Sequence, residues 1–84
     1  MVDRPRFVYV LQSIAVPAQY YVGITSDPVS RLGAHNSGDS PHTSRYKPWR
    51  VLLTMEFAEP EKALAFESYL KTGSGREFAR RHFR

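Results

Sequence analysis

Cysteine is absent from the 84 residues of this chain, and with it go disulfide bridges, thiolate metal sites and cysteine nucleophiles. Missing too is any apolar run long enough to cross a bilayer. The opening residues Met1-Val2-Asp3-Arg4-Pro5-Arg6 carry no signal-peptide pattern, so a soluble cytoplasmic protein is expected. Acidic side chains are outnumbered: eight Asp and Glu stand against twelve Lys and Arg, a formal charge of +4. A basic domain attracts polyanions, nucleic acid foremost, although many small proteins are basic without binding any. The chain has no internal repeat and no low-complexity tract, and its length allows one domain, residues 1–84, around one modest core. What it does have is 42% hydrophobic and 13% aromatic content, enough for a folded rather than a disordered chain.

The pattern of residues predicts an α+β domain in the order β-β-α-β-α-α, a small three-stranded antiparallel sheet flanked by helices. Phe7-Val8-Tyr9-Val10-Leu11 and Tyr20-Tyr21-Val22-Gly23-Ile24-Thr25 read as two strands. The connection between them holds Pro17 and is too short for a crossover, so they pair antiparallel. Asp27-Pro28 starts a helix: the carboxylate accepts from free amides of the first turn, and proline suits the first helical position. That helix runs to about Asn36, and Ser37-Gly38 ends it. A polar loop, residues 39–48, carries His42, Arg45 and Lys47. Next comes a third strand whose Trp49, Val51, Leu53, Met55 and Phe57 fall on one face at period two. Pro60 opens a helix from Glu61 to about Lys71, which Thr72-Gly73-Ser74-Gly75 terminates before a basic helix from Arg76 to Arg84.

Several polar residues fall where fold-building alone does not require them. With the first hairpin centred near Ala15, Tyr9 and Tyr21 face each other and project from the same side of the sheet. Both also suit the role of ordinary core aromatics. Arg31 and His35, four apart, share one helix face, either as a site or as a solvated polar surface. Glu67 has Ala63, Leu64 and Leu70 as helical neighbours and so borders the apolar stripe, where a carboxylate is costly unless paired or bound to metal. Lys71, four residues on, offers the plain alternative of a helix ion pair. At the end of the chain Lys71, Arg76, Arg80, Arg81 and Arg84 face one acidic residue, Glu77, and Arg76, Arg80 and Arg84 recur every four residues along one helix face. That is either a phosphate-binding surface or a solvated tail.

The ordered set carries more than its members. Tyr9 within Phe7-Val8-Tyr9, then Tyr21-Val22-Gly23, then Arg31-x-x-x-His35, then Glu67 on a later helix resembles the GIY-YIG nuclease superfamily. The first signature triplet keeps only its tyrosine, and the second has Val for Ile. The stretches Arg31 to Gly38 and Leu70 to Phe78 resemble the short, single-domain bacterial branch, and the likeness extends from Phe7 to Phe83.

That resemblance implies a divalent-metal-dependent endonuclease acting on phosphodiester bonds in DNA, with Mg²⁺ or Mn²⁺ on Glu67 as the single metal-binding carboxylate. It implies Arg31 as the arginine on the scissile phosphate and Tyr9 as the tyrosine that receives a proton from the attacking water. Tyr21 and His35 match residues that orient water and phosphate or shuttle protons, and Gly23 matches the glycine that lets backbone approach the site. Larger members carry an asparagine after the metal glutamate. The single Asn here, Asn36, precedes Glu67, which leaves Ser74, His82 or no residue in that role.

Chemically the set is coherent. Arginine presents forked donors matched to phosphate oxygens, and one hard cation can leave most of its coordination to water and phosphate. A tyrosine, with an ordinary pKa of about 10, acts as a base only if nearby cations stabilise its phenolate. Arg31, Arg45, Lys47, Lys71, Arg76, Arg80 and Arg84 are the expected nucleic-acid contacts. With no separate reading domain, selection by DNA structure rather than by sequence is expected. Two alternatives stand beside this one: a non-catalytic nucleic-acid-binding module of the same fold, and an interaction domain in a repair or recombination assembly.

Overall fold

The computed structural model describes residues 4–84; Met1, Val2 and Asp3, the first part of the stretch without a signal-peptide pattern, lie outside the described residues. Strands β1 (Phe7–Ser13) and β2 (Tyr20–Thr25) form a hairpin, followed by α1 (Pro28–Ser37), a 3₁₀ turn (Ser44–Tyr46), β3 (Trp49–Glu56), α2 (Pro60–Leu70) and α3 (Gly73–His82). The sheet order is β2-β1-β3 with both pairs antiparallel, so β1 is central. This is the expected α+β architecture in the expected order.

The ends of α1 are written locally. The Asp27 carboxylate accepts from the Ser30 amide at 3.2 Å, and Gly38 closes the helix at φ 86, a conformation that a side chain strains. The start of α3 differs from expectation. Thr72 is its N-cap, accepting from the Gly75 amide at 3.1 Å, so Gly73, Ser74 and Gly75 form its first turn rather than a separate breaker. Gly75 is required by packing: a Cβ there would collide with the Tyr69 carbonyl at the end of α2.

Two corrections of register shape the site. Tyr9 pairs with Gly23 and Leu11 with Tyr21, so the hairpin is centred one residue later than Ala15. Tyr9 and Tyr21 keep the same face but lie diagonally, with ring centroids 6.1 Å apart. On the other side of β1, Val10 pairs with Leu53 while Leu11 pairs with Val51, leaving Leu52 as an extra residue. This bulge reverses the alternation of β3, so its apolar residues do not share one face. Trp49 joins Tyr9 and Leu11, with Leu32 and Tyr46 packed against them, on the α1 side. Met55, with Phe57 just beyond the strand, joins Val8, Ala63, Leu70 and Ala79 on the α2–α3 side. Val51 is left 37% exposed.

The sheet therefore has two unlike faces. The α2–α3 face is aliphatic and phenyl-rich, with Phe66 and Phe78 meeting edge to face at 6.2 Å. The α1 face is built from hydroxyl- and nitrogen-bearing rings, and the polar residues singled out in β1, β2 and α1 converge there.

Candidate active site

Tyr9 is 3% exposed, yet its ring is not merely packed. Its hydroxyl lies 3.0 Å from Nε2 of His35, which is fully buried, and Nδ1 of His35 lies 2.7 Å from the Thr43 hydroxyl. Thr43 Oγ1 is 3.5 Å from the Ser40 carbonyl, which can only accept. One assignment gives every hydrogen a partner. The Tyr9 O–H donates to Nε2, Nδ1–H donates to Thr43, and the Thr43 O–H points at Ser40. The histidine is then neutral, with its basic nitrogen facing the phenol. Tyr21 completes the cluster, its ring 4.9 Å from the His35 ring.

The electrostatics agree with this arrangement. Burial pushes the His35 pKa down, and the positive charge of Arg31, one turn earlier on α1, pushes it further. Burial raises the Tyr9 pKa above its usual value, partly offset by the neighbouring Arg31 guanidinium, while Lys71 acts weakly in the same sense. The ground state is a phenol beside an unprotonated imidazole, with a guanidinium at hand. Arg31 forms no ion pair among the described residues.

Gly23 allows the close approach. A Cβ at this position would occupy the space of the Tyr9 hydroxyl and its ring carbon, so the phenol crosses directly over β2 backbone that lacks a side chain. Asn36 serves the scaffold: its side-chain amide donates to the Trp49 carbonyl at 3.1 Å and accepts from the Trp49 amide at 2.6 Å, fastening α1 to the start of β3.

Glu67 takes no part in this hydrogen-bonded group; it stands on α2, which lies against β1 and β2. It is 9% exposed and sits beside the buried Ala63 and Leu70, while Leu64 turns outward at 57%. Its Oε2 accepts from Lys71 Nζ at 2.6 Å, its one ion pair among the described residues. No group of three or more His, Asp or Glu side chains converges among the described residues, and both nitrogens of His35 are engaged. One nearly buried carboxylate, already stabilising one cation, suits a single hard ion that keeps its remaining positions for water and phosphate oxygens.

The other basic residues scatter. Arg45 lies over the Tyr46 ring at 5.6 Å and Lys47 stands exposed beside Gly38. Arg80 is locked to Glu77 by contacts of 2.6 and 3.0 Å. Arg76 and Arg84 line a cleft beside Tyr20. The helix α3 ends at His82 rather than Arg84, and Arg76, Arg80 and Arg84 do not act as one row. Ser74 is exposed in the first turn of α3, and the His82 ring packs on Phe78 at 4.6 Å. Thr43 is a member of the site that sequence reasoning misses. It lies in an irregular loop where periodicity carries no information, and only its pairing with His35 marks it.

Tyr9 on β1 meets His35 on α1 beside Arg31, and α2 with its Glu67 carboxylate packs against the same hairpin. The family described as "GIY-YIG catalytic domain" matches residues 5–81, and the chain belongs to it. Among its relatives is the UPF0213 protein of Streptococcus pneumoniae, 34% identical over 70 residues that cover 82% of this chain and 69% of that protein, which places the chain with the short bacterial branch. It is also 42% identical over 67 residues to "Structure-specific endonuclease subunit SLX1" of Scheffersomyces stipitis, covering 71% of this chain but 20% of the relative. The corresponding homolog of Giardia intestinalis is 37% identical over 65 residues, covering 73% of this chain and 18% of the relative. The chain thus spans about a fifth of the length of these endonuclease subunits. None of the helices among the described residues is long and apolar enough to cross a membrane.

Proposed function

We propose that the chain is a divalent-metal-dependent endonuclease that hydrolyses phosphodiester bonds in DNA, selecting its target by structure rather than sequence and working in the cytoplasm. The observation that carries this reading is the hydrogen-bonded series Tyr9–His35–Thr43 with the Arg31 guanidinium beside it. The names of the SLX1 relatives support the structural selectivity.

Arg31 binds the scissile phosphate, its fork matching two oxygens and offsetting the charge that builds on them during attack. A water attacks phosphorus as the bond to the leaving oxygen breaks, and it passes its proton to the Tyr9 oxygen while the Tyr9 proton moves to Nε2 of His35. The imidazolium so formed still donates from Nδ1 to Thr43. This relay spares Tyr9 a free phenolate, which its raised pKa disfavours, and puts the charge on His35, whose lowered pKa makes the imidazolium short-lived. Tyr21 packs against His35 and limits the movement of its ring. Glu67 would hold Mg²⁺ or Mn²⁺ in exchange for Lys71, and the ion would supply positive charge to the phosphate and the leaving oxygen.

The second reading, a non-catalytic binding module, is favoured by one observation: Lys71 already neutralises Glu67. A cleavage assay separates the two. Plasmid, single-stranded and branched DNA are incubated with Mg²⁺, Mn²⁺ or chelator, using Glu67→Ala as control. Metal-dependent products from the parent protein and none from the variant support the endonuclease. Binding of all substrates without products from any of them leaves the binding module.

A further inference from the structure

A cleft of about 400 Å³ opens on the α2–α3 side of the sheet, between the end of the hairpin and α3. Its floor is apolar, with Val10, Val22 and Leu70, while Lys71, Arg76 and Arg84 stand around it. The cations differ in what they already hold. Lys71 is paired with Glu67, and Arg80, which does not line the cleft, is paired with Glu77. Arg76 and Arg84 form no ion pair among the described residues, and both line the cleft. The Arg84 guanidinium lies 4.3 Å from the centroid of the Tyr20 ring and donates to the Arg76 carbonyl at 3.3 Å. Tyr20 is itself held, its hydroxyl accepting from Gln12 Nε2 at 3.2 Å.

A volume near the small end of the range for ligand pockets, an apolar floor, a fixed aromatic ring and two guanidiniums without a carboxylate partner among the described residues together match one chemistry: a flat ring carrying phosphates. The geometry points to a subsite for an unpaired nucleotide of a nucleic-acid strand, its base stacked on Tyr20 in place of Arg84 and its flanking phosphates on Arg76 and Arg84. Bases within a duplex already stack on one another and offer no free face, so the subsite takes single-stranded segments. Lys71 links it to the candidate active site, because the same side chain lines the cleft and holds Glu67. A strand seated here leads toward the metal-binding carboxylate. The inference rests on the nucleic-acid reading above and adds where the unpaired part of a branched substrate is held.

The test is binding without metal, read by fluorescence anisotropy on a labelled oligo-dT and on a blunt duplex, so that hydrolysis plays no part. Tyr20→Ala is expected to weaken oligo-dT binding about tenfold, in line with the stacking of one base on an aromatic ring, and Tyr20→Phe to restore it. Arg76→Gln and Arg84→Gln should each lower the salt slope by roughly 0.7, the loss of one single-strand phosphate contact. Lys62→Gln, on the exposed side of α2 and outside the cleft, should change neither. Melting curves on each variant confirm folding. Equal losses on oligo-dT and duplex, or unchanged oligo-dT binding in folded Tyr20→Ala, overturn the subsite. Cleavage by the same preparations is scored separately. Metal-dependent cutting with no effect of Tyr20→Ala on oligo-dT binding rejects the subsite alone. Oligo-dT binding that depends on Tyr20, in a protein that never cuts, rejects the endonuclease alone.

Discussion

The Tyr9 hydroxyl and His35 Nε2 lie 3.0 Å apart although the residues are 26 positions apart in the chain, and both are buried. A buried phenol on a buried imidazole is an arrangement a plain hydrophobic core avoids, because each polar atom must find a partner. Here each does, and no buried side-chain nitrogen or oxygen is left without one among the described residues.

If Tyr9 relays a proton during attack, its hydroxyl matters to turnover and little to affinity. Tyr9→Phe should lower the single-turnover cleavage rate by roughly 10² to 10⁴ while DNA affinity stays within about threefold. Equal losses in rate and affinity would make Tyr9 a binding residue.

Gly23→Ala tests the same contact from the opposite strand. The added methyl meets the terminal atoms of Tyr9, so the phenol must swing off His35. The rate should fall by an amount comparable with Tyr9→Phe, and the double variant should be no slower than either single one. Additive losses would show that the two residues act independently.

If Glu67 holds a metal ion, Lys71 must compete with that ion for its carboxylate. Lys71→Gln leaves a nearly buried carboxylate without its cation, so the metal-free protein should melt lower than the parent. Added Mg²⁺ or Mn²⁺ should raise the melting temperature of this variant more than that of the parent, through binding to the folded state alone. Glu67→Ala should abolish the metal effect and metal-dependent cutting together. A metal-induced shift that survives in Glu67→Ala places the ion elsewhere.

The depressed pKa of His35 sets a pH dependence with a definite sign. The unfolded chain takes up a proton near pH 6.5, whereas the folded chain resists it to lower pH. The stabilisation from neutral His35 is therefore complete above that value and is lost as pH falls through the folded pKa. Tyr9 acts at the other end: its raised pKa favours the folded state fully below pH 10, and that favour is lost as pH rises further. Urea midpoints at about pH 7.5 and 5.5 should show the acid loss, and His35→Gln should flatten it. Thr43→Val, which strands Nδ1–H, should cost about 1–3 kcal/mol at neutral pH in the same titrations.

Much of the scaffold follows from short-range rules that operate within a few residues. Asp27-Pro28 starts α1 and Gly38 ends it because capping and positive φ are local matters, and the unbroken apolar run from Phe7 to Leu11 reflects burial of β1 on both faces. The identity of Tyr9, Tyr21, Arg31, His35 and Glu67 as candidates was legible because their order and element types form a pattern along the chain. Their grouping was not. Whether Tyr9 opposes Tyr21 or Gly23 depends on where the hairpin turns, and a shift of one residue there costs little in local propensity. The Leu52 bulge is decided by β1, whose neighbouring faces bury Trp49 on one side and Met55 on the other. Thr43 and the cleft beside Tyr20 join residues distant in the chain, through loops whose composition bears no trace of their partners. By itself the sequence determined the elements and the family, since both are encoded in near-neighbour pattern. Tertiary packing alone decided which nitrogen meets the phenol and which cations meet a carboxylate, since those depend on contacts that exist only once the sheet and helices have closed on one another.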